Sequence, residues 1–160
     1  MIWKDALIDG VLARPLTPFR DDRGWLAELF RSDDPVPAGF PEMGYVSVTY
    51  PGVARGPHEH VRQSDRFAFF HGLYRIWLWD VRPDSATRGC RQMLTAGADF
   101  PLLLVIPPGV VHAYRNEGSE DAFVMNFPDA LYAGRNRQEV VDEIRHEDDP
   151  ESPFTLVDTL

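Results

Sequence analysis

Three histidines stand at two places in the chain with a spacing that could build a chemical site. His58 and His60 lie two residues apart after a Gly-Pro pair, and His112 follows a Pro-Pro-Gly turn. Residues i and i+2 of an extended strand project to the same face, so the first two imidazoles are expected to point together. If His112 lies on a neighbouring strand, three imidazoles and the carboxylate of Asp65 meet in one pocket. Such a pocket can bind a transition metal, move protons beside a carbonyl group, or be purely structural.

The chain is acidic and has the composition of an ordinary globular protein. With 160 residues, 44% of them hydrophobic, we expect one domain over residues 1–160 with a substantial core. The net charge of −9 argues against binding to nucleic acid or to an anionic membrane. Cys90 is the single cysteine, which favours a reducing compartment, and no apolar run is long enough for a signal peptide or a membrane span. These features predict a cytoplasmic protein.

The elements that must position the histidines are predicted to be strands. Short segments alternate between apolar and polar residues, with Gly, Pro and Asp between them. In the clearest strand, residues 74–81, alternation puts Ile76 and Leu78 on one face and Trp77 and Trp79 on the other. The predicted strands cover residues 11–19, 25–30, 44–50, 66–71, 74–81, 91–94, 102–106, 110–115 and 122–127.

Two segments depart from simple alternation. Residues 102–106 are apolar throughout, as expected for a strand that is buried on both faces. Residues 138–146 carry Val140, Val141 and Ile144 at helical spacing, which predicts a short C-terminal helix. The sequence therefore predicts an all-β protein, either a sandwich or a barrel, with one short helix at the end.

Written as patterns, the two histidine segments are Gly-x-His-x-His-x4-Asp-x6-Gly and Pro-x-Gly-x2-His-x3-Asn. They resemble the two-part signature of the cupin superfamily, which implies a double-stranded β-helix, or jelly-roll barrel. In its metal-binding members the ligands match His58, His60, Asp65 and His112, although a glutamate usually stands at the position of Asp65. The resemblance leaves open a divalent transition metal, namely Fe, Mn, Ni, Cu or Zn.

A second resemblance extends from about residue 12 to about residue 157. Its segments include Asp21-x-Arg23-Gly24-Trp25, Arg55-Gly56-Pro57-His58 and Asp80-Val81-Arg82-Pro83. They resemble the dTDP-4-dehydrorhamnose 3,5-epimerase family, a branch of the cupins. The resemblance implies a nucleotide-sugar pocket that requires no cofactor. It also implies a homodimer, in which early strands around Trp3 and Trp25 complete the pocket of the partner.

The same resemblance implies roles for individual residues. Arg23, Glu28 and Arg55 match family residues that bind the ligand, and guanidinium groups suit a diphosphate. His58 matches the catalytic base, and His112 matches a second histidine of the pocket. An imidazole titrates near neutral pH, so it can accept and return a proton under cellular conditions.

Three positions depart from the family. Asp65 stands where the family has the lysine that stabilises the enolate, and Met125 stands where it has a catalytic tyrosine. The family's aspartate that orients the base lies in a C-terminal extension, for which this sequence offers Asp148, Asp149 and Asp158 as substitutes. A bound metal would restore the lost charge as a Lewis acid.

Three functions follow as hypotheses. The first is an epimerase or ketoisomerase for a nucleotide-linked 4-keto-6-deoxy sugar. In it His58 is the base, His60 and His112 shuttle or orient protons, and Arg23 and Arg55 hold phosphate. The second is a metal-dependent cupin enzyme, such as a dioxygenase or a lyase that acts on a small acid. The third is a sugar-binding protein that has kept the pocket without the chemistry.

Overall fold

The structure is a computed structural model that describes residues 2–36 and 38–157. Nearly all of its regular structure is β, as the Gly- and Pro-punctuated alternation predicts. The strands are β1 (Lys4–Asp5), β2 (Leu12–Pro15), β3 (Phe19–Asp21), β4 (Gly24–Leu26), β5 (Tyr45–Thr49), β6 (Ala54–Glu59), β7 (Asp65–Phe69), β8 (Leu73–Asp80), β9 (Cys90–Gly97), β10 (Leu102–Ile106), β11 (Val110–Asn116), β12 (Ala122–Asn126) and β13 (Ile144–Arg145).

Two sheets form the body of the molecule. One has the strand order β1-β9-β8-β11-β6-β13 and the other has the order β2-β10-β7-β12-β5, while β3 and β4 form a separate hairpin. Every pairing is antiparallel except that of β1 with β9. The sheets pack face to face around a shared apolar cluster. This is the double-stranded β-helix, or jelly roll, that the histidine patterns predict.

The core explains why these segments become strands. Ile76 and Leu78 of β8 point between the sheets, whereas Trp77 and Trp79 point outward and pack against Phe154. The predicted alternation of this strand is confirmed. All five residues of β10 are buried, because the outer face of its sheet is also covered by chain. Burying each large apolar side chain contributes about 1.5–3 kcal/mol to the free energy of unfolding. The apolar clusters between the sheets and on their outer faces therefore both stabilise the fold.

The predicted C-terminal helix over residues 138–146 is wrong. The structure has a short 3₁₀ turn at Arg135–Arg137 and then the strand β13, which pairs with β6 so that Arg145 lies opposite His58. Val140 is 90% exposed, so the helical spacing of apolar residues does not mark a buried face. The unpaired edge of β6 instead takes its backbone partners from this segment. No helix among the described residues is long and apolar enough to cross a membrane.

Candidate active site

A cavity of about 920 Å³ lies between the two sheets. Its walls come from β5, β6, β7 and β11, and residues 128–147 of the C-terminal segment cover one side. The volume is within the range of about 300–1,000 Å³ that is usual for small-molecule sites. His58 and His60 are among the residues that line it.

A bulge in β6 shapes the wall that carries His58. In the pairing of β6 with β11, His58 lies opposite His112 and Arg55 lies opposite Tyr114, so β6 has one extra residue in this interval. Residues three apart on a regular strand face opposite sides, but the bulge lets both Arg55 and His58 line the cavity. Gly56 supplies the backbone for this bend, with a φ of +77°.

The three predicted histidines come together at this wall. One ring nitrogen of each lies within 4.8 Å of the others, and the rings of His58 and His112 are 4.4 Å apart at their centroids. His60 presents its ring beside them from the end of β6. His112 is almost fully buried and lies behind the other two rings, so it contacts His58 and the core rather than the open cavity.

Asp65 joins this cluster from below. It is buried, and its Oδ2 lies 3.3 Å from His60 Nε2 and 3.2 Å from His112 Nε2. Its Oδ1 accepts hydrogen bonds from Gln63 and Asn126 at 2.9 and 2.8 Å. Burial alone would raise the pKa of Asp65, but the two imidazoles outweigh it and lower that pKa. Burial likewise opposes the charge on His60, yet the hydrogen bond to Asp65 raises the pKa of His60 to about 9.

His58 has a different environment. Burial, and then the neighbouring His112, lower the pKa of His58 to about 2, so its imidazole is neutral at physiological pH. Its Nδ1 faces two carboxylates, Glu143 Oε1 at 3.9 Å and Glu147 Oε1 at 3.8 Å. A neutral, desolvated imidazole beside carboxylates is suited to accept a proton, because the carboxylates stabilise the imidazolium that then forms.

The sequence did not reveal these two glutamates. The acids expected near His58 were Asp148, Asp149 and Asp158, of which Asp158 lies outside the described residues. Asp149 instead accepts a hydrogen bond from the backbone N–H of Glu151. The pairing of β13 with β6 is the signal that identifies Glu143 and Glu147, because it sets residues 143–147 alongside His58.

The C-terminal segment is tied to the histidine wall by further contacts. The Asp142 carboxylate accepts the backbone N–H groups of Val61, Arg62 and Gln63 at 2.8 to 3.2 Å, and its carbonyl oxygen accepts the Nδ1–H of His60. These backbone hydrogen bonds outweigh the effect of burial and lower the pKa of Asp142. The segment therefore orients His60 as well as covering the cavity.

Three tyrosines line the cavity although none occupies the position of Met125. They are Tyr45, Tyr114 and Tyr132. Burial raises the pKa of Tyr45 to about 12 and also raises that of Tyr114, so both phenols keep their protons at neutral pH. Met125 packs in an apolar cluster on the outer face of its sheet, away from the cavity lining.

Of the three predicted ligand-binding residues, one lines the cavity and two do not. Arg55 lines the cavity, and its guanidinium donates to Val48 O at 2.7 Å and to Thr49 Oγ1 at 3.2 Å. Arg23 lies on the β3–β4 hairpin, pairs with Asp21, and is not part of this lining. Glu28 is also outside it and lies 3.7 Å from Arg31.

Comparisons with known proteins match most of the chain. The family model described as dTDP-4-dehydrorhamnose 3,5-epimerase matches residues 5–149. The spore coat polysaccharide biosynthesis protein SpsL of Bacillus subtilis is 38% identical over 126 residues, which are 79% of this chain and 83% of SpsL. The probable low-salt glycan biosynthesis epimerase Agl13 of Haloferax volcanii is 36% identical, over 78% of this chain and 81% of its own.

A solved structure extends the comparison to three dimensions. The dTDP sugar isomerase from Desulfovibrio desulfuricans superposes with a TM-score of 0.79 at 27% identity, and the match covers 92% of this chain and 91% of that one. The similarity thus extends over most of the fold.

Proposed function

Because the chain belongs to the dTDP-4-dehydrorhamnose 3,5-epimerase family, we propose that it epimerises a nucleotide-linked, dTDP-type 4-keto-6-deoxy sugar. The family is one of sugar-nucleotide isomerases. The observation that carries the proposal is His58, a neutral and largely buried imidazole that lines a ligand-sized cavity beside two carboxylates. Proton transfer beside a ketone uses side chains alone and requires no cofactor.

In the proposed reaction His58 removes the proton from the carbon next to the ketone. Its Nε2, the nitrogen that does not face Glu143 and Glu147, accepts that proton. The electron pair of the C–H bond moves to the carbonyl oxygen and gives an enolate. Return of a proton to the same carbon from the opposite face inverts that centre. The two carboxylates favour the step because they stabilise the protonated ring.

The remaining groups of the cluster take the supporting roles. The chain's one lysine, Lys4, lies on β1, so no lysine can stabilise the enolate as in the family. We assign that role to the charge that His60 carries beside Asp65, with His112 orienting the pair from behind. Tyr45 and Tyr114 line the same cavity with protonated phenols and are our candidates for the proton donor.

Product analysis tests the function. Purified protein is incubated with dTDP-4-keto-6-deoxyglucose, the ketone is trapped by reduction, and the sugar configuration is read by NMR. The proposal predicts a product inverted at C3, at C5 or at both. If the starting configuration alone is recovered while dTDP binds, the chain is a sugar-nucleotide binding protein rather than an epimerase.

The histidine cluster also supports a second candidate, a metal site. The three imidazoles converge within 4.8 Å, and Nδ1 of both His60 and His112 contacts a backbone carbonyl oxygen, as is usual for histidines that ligate metals. With Asp65 they would hold a divalent Fe, Mn, Ni, Cu or Zn ion, which would polarise the ketone as a Lewis acid. Metal analysis of protein purified without chelators, with His60→Ala as control, decides the matter: less than a tenth of an equivalent would contradict this candidate.

We also propose that the protein is a cytoplasmic homodimer. The β3–β4 hairpin exposes Phe19 and Leu26, both 62% accessible, and Trp25 lies between them in the chain. Apolar side chains grouped on one hairpin indicate a protein interface. Trp3, in contrast, packs on Phe154 of its own chain. In such a dimer the hairpin would bring Arg23, and the residues after it would bring Glu28, to the cavity of the partner.

A further inference from the structure

The turn over residues 133–137 has an unusual backbone conformation. Three non-glycine residues in it, Ala133, Asn136 and Arg137, have φ angles of 55°, 56° and 58°. Within the described parts of the chain, no other non-glycine residue has a positive φ. Each such residue costs roughly 1–3 kcal/mol and persists where the surroundings enforce it, often at binding sites.

Backbone hydrogen bonds hold this turn in place. Gly134 N–H donates to Leu131 O at 2.9 Å, Arg137 N–H donates to Gly134 O at 3.2 Å, and Glu139 N–H donates to Ala133 O at 2.8 Å. The turn therefore fixes the backbone from which two arginines, Arg135 and Arg137, extend. Both line the cavity that contains His58.

These two arginines and Arg62 differ from the other cations of the cavity. Arg145 is paired with Glu143 at 2.9 Å, and Arg55 donates to Val48 O and Thr49 Oγ1. Among the described residues, the guanidinium groups of Arg62, Arg135 and Arg137 make no ion pair or hydrogen bond with a side chain. All three are exposed and face a cavity that is large enough for a nucleotide sugar.

Acidic groups of the same cavity are mostly engaged elsewhere. The Asp142 carboxylate accepts three backbone N–H groups, and Glu143 pairs with Arg145. Glu139 packs against Gly134 in the turn, and Glu42 is tied by its backbone N–H to Pro128 O at 2.9 Å. The turn thus presents available positive charge in a chain whose net charge is −9. A dianionic or trianionic ligand is the partner that such a group of forked donors fits.

We infer that Arg62, Arg135 and Arg137 form the diphosphate subsite of this cavity, which rests on the proposed nucleotide-sugar function. Arg135 and Arg137 lie on the C-terminal segment, the one that places Glu143 and Glu147 beside His58, and Arg62 lies in the loop after β6, where its backbone N–H donates to Asp142 of that segment. The diphosphate would therefore anchor the sugar toward the base from the same covering segment. Arg23 does not supply this subsite within one subunit, because it pairs with Asp21 outside the cavity lining.

Calorimetric titration tests the subsite with dTDP, inorganic pyrophosphate and thymidine as probes. The double variant Arg135→Gln/Arg137→Gln should weaken dTDP and pyrophosphate binding by about tenfold per arginine, as expected for lost charge-assisted hydrogen bonds. Thymidine binding should not change. Arg88→Gln is the matched control, because Arg88 is exposed but lies outside the cavity lining.

Each outcome decides the inference. If the double variant binds dTDP within twofold of wild type, or if Arg88→Gln weakens it equally, the subsite is wrong. It is equally wrong if wild-type protein binds neither dTDP nor pyrophosphate. Product analysis keeps the epimerase proposal separate: a wild-type protein that binds dTDP through these arginines but inverts no sugar centre supports the subsite and contradicts the reaction. A wild-type protein that inverts a sugar centre, but whose dTDP binding does not depend on these arginines, supports the reaction and contradicts the subsite.

Discussion

At His58 the protein combines a buried imidazole with nearby negative charge. Burial and His112 disfavour a charge on the ring and lower its pKa to about 2, while Glu143 and Glu147 lie within 4 Å of Nδ1. The ring is therefore unprotonated at neutral pH, and because burial makes it a weak base, the two carboxylates must stabilise the charge that it gains when it accepts a proton.

Removing the negative charges of Glu143 and Glu147 should slow proton transfer to His58. Glu143→Gln/Glu147→Gln is expected to lower kcat by about tenfold to a hundredfold, since the imidazolium loses its charged neighbours. KM should stay within about twofold, because the predicted phosphate-binding arginines remain. Steady-state kinetics on the keto sugar give both numbers, with the exposed acid Glu151→Gln as control. Equal loss in the control, or a change confined to KM, would show that the glutamates do not act on the base.

The pKa of His58 also predicts the pH profile. An unperturbed histidine has a pKa of 6.5 and would lose its function as a base below that value. With the pKa of His58 lowered to about 2, the base stays unprotonated as the pH falls from 8 to 5. We therefore expect kcat/KM to be level over this range. A tenfold fall per pH unit below 6.5 would mean that His58 titrates normally or is not the base.

At the scale of elements, the bulge in β6 positions the base. A Cβ added at Gly56 would lie 2.5 Å from the carbonyl oxygen of His112 and 3.1 Å from His58 Nδ1. The bend therefore brings two histidine-bearing strands closer together than any side chain at this position would permit.

Gly56→Ala should consequently disturb both stability and activity. Its φ of +77° and the contact with His112 together predict a loss of about 1–3 kcal/mol in the free energy of unfolding. Gly52→Ala is the matched control, because Gly52 has a φ of +73° with no atom within 4 Å of the added Cβ. Urea unfolding and kinetics are the measurements. If the two variants are equally stable and equally active, close packing at Gly56 does not position His58.

The order of apolar and polar residues along the sequence predicts much of the fold. Alternation identified β8 and its two faces, and the uniformly apolar residues 102–106 correctly indicated a strand buried on both sides, because these properties depend on neighbours in sequence. The segment 138–146 was misread as helix, since its structure depends on pairing with the edge of β6 far away in the chain. The single strand predicted over residues 11–19 is likewise interrupted. The strand β2 ends at Pro15, and β3 begins at Phe19, directly after Pro18.

The site could be predicted only in part for the same reason. The spacing of His58, His60 and Asp65 is local, and the structure does bring these groups together with His112. The acids at 143 and 147 were not predictable, because the pairing of β13 places them. The proposed roles of these residues stay predictions.

Exposed apolar side chains are grouped on two parts of the molecular surface. Phe19 and Leu26 on the hairpin, and Val46 and Val48 on the edge strand β5, are between 48 and 62% accessible. An exposed edge with apolar side chains favours pairing with another chain. The homodimer proposed above would cover part of this surface.

Light scattering during gel filtration measures the association. We expect wild-type protein to have twice the mass of the chain, and Leu26→Lys to shift it toward the monomer because a charge is buried poorly in an apolar interface. Val140→Lys is a suitable control, since Val140 is 90% exposed on the C-terminal segment. A wild-type protein that elutes with the mass of a single chain would contradict the dimer.

Removal of a proton beside the ketone of a nucleotide sugar is the step that we propose for His58, and hydrogen exchange measures this step. Wild-type protein and His58→Gln are incubated in D₂O with dTDP-4-keto-6-deoxyglucose, and deuterium at C3 and C5 is located by NMR. We expect deuterium in the sugar after the wild-type reaction and an exchange rate at least about a hundredfold lower in the variant, since general base catalysis contributes about 10²–10⁴. No wild-type deuterium incorporation, or incorporation at an unchanged rate in His58→Gln, would contradict the role proposed for His58.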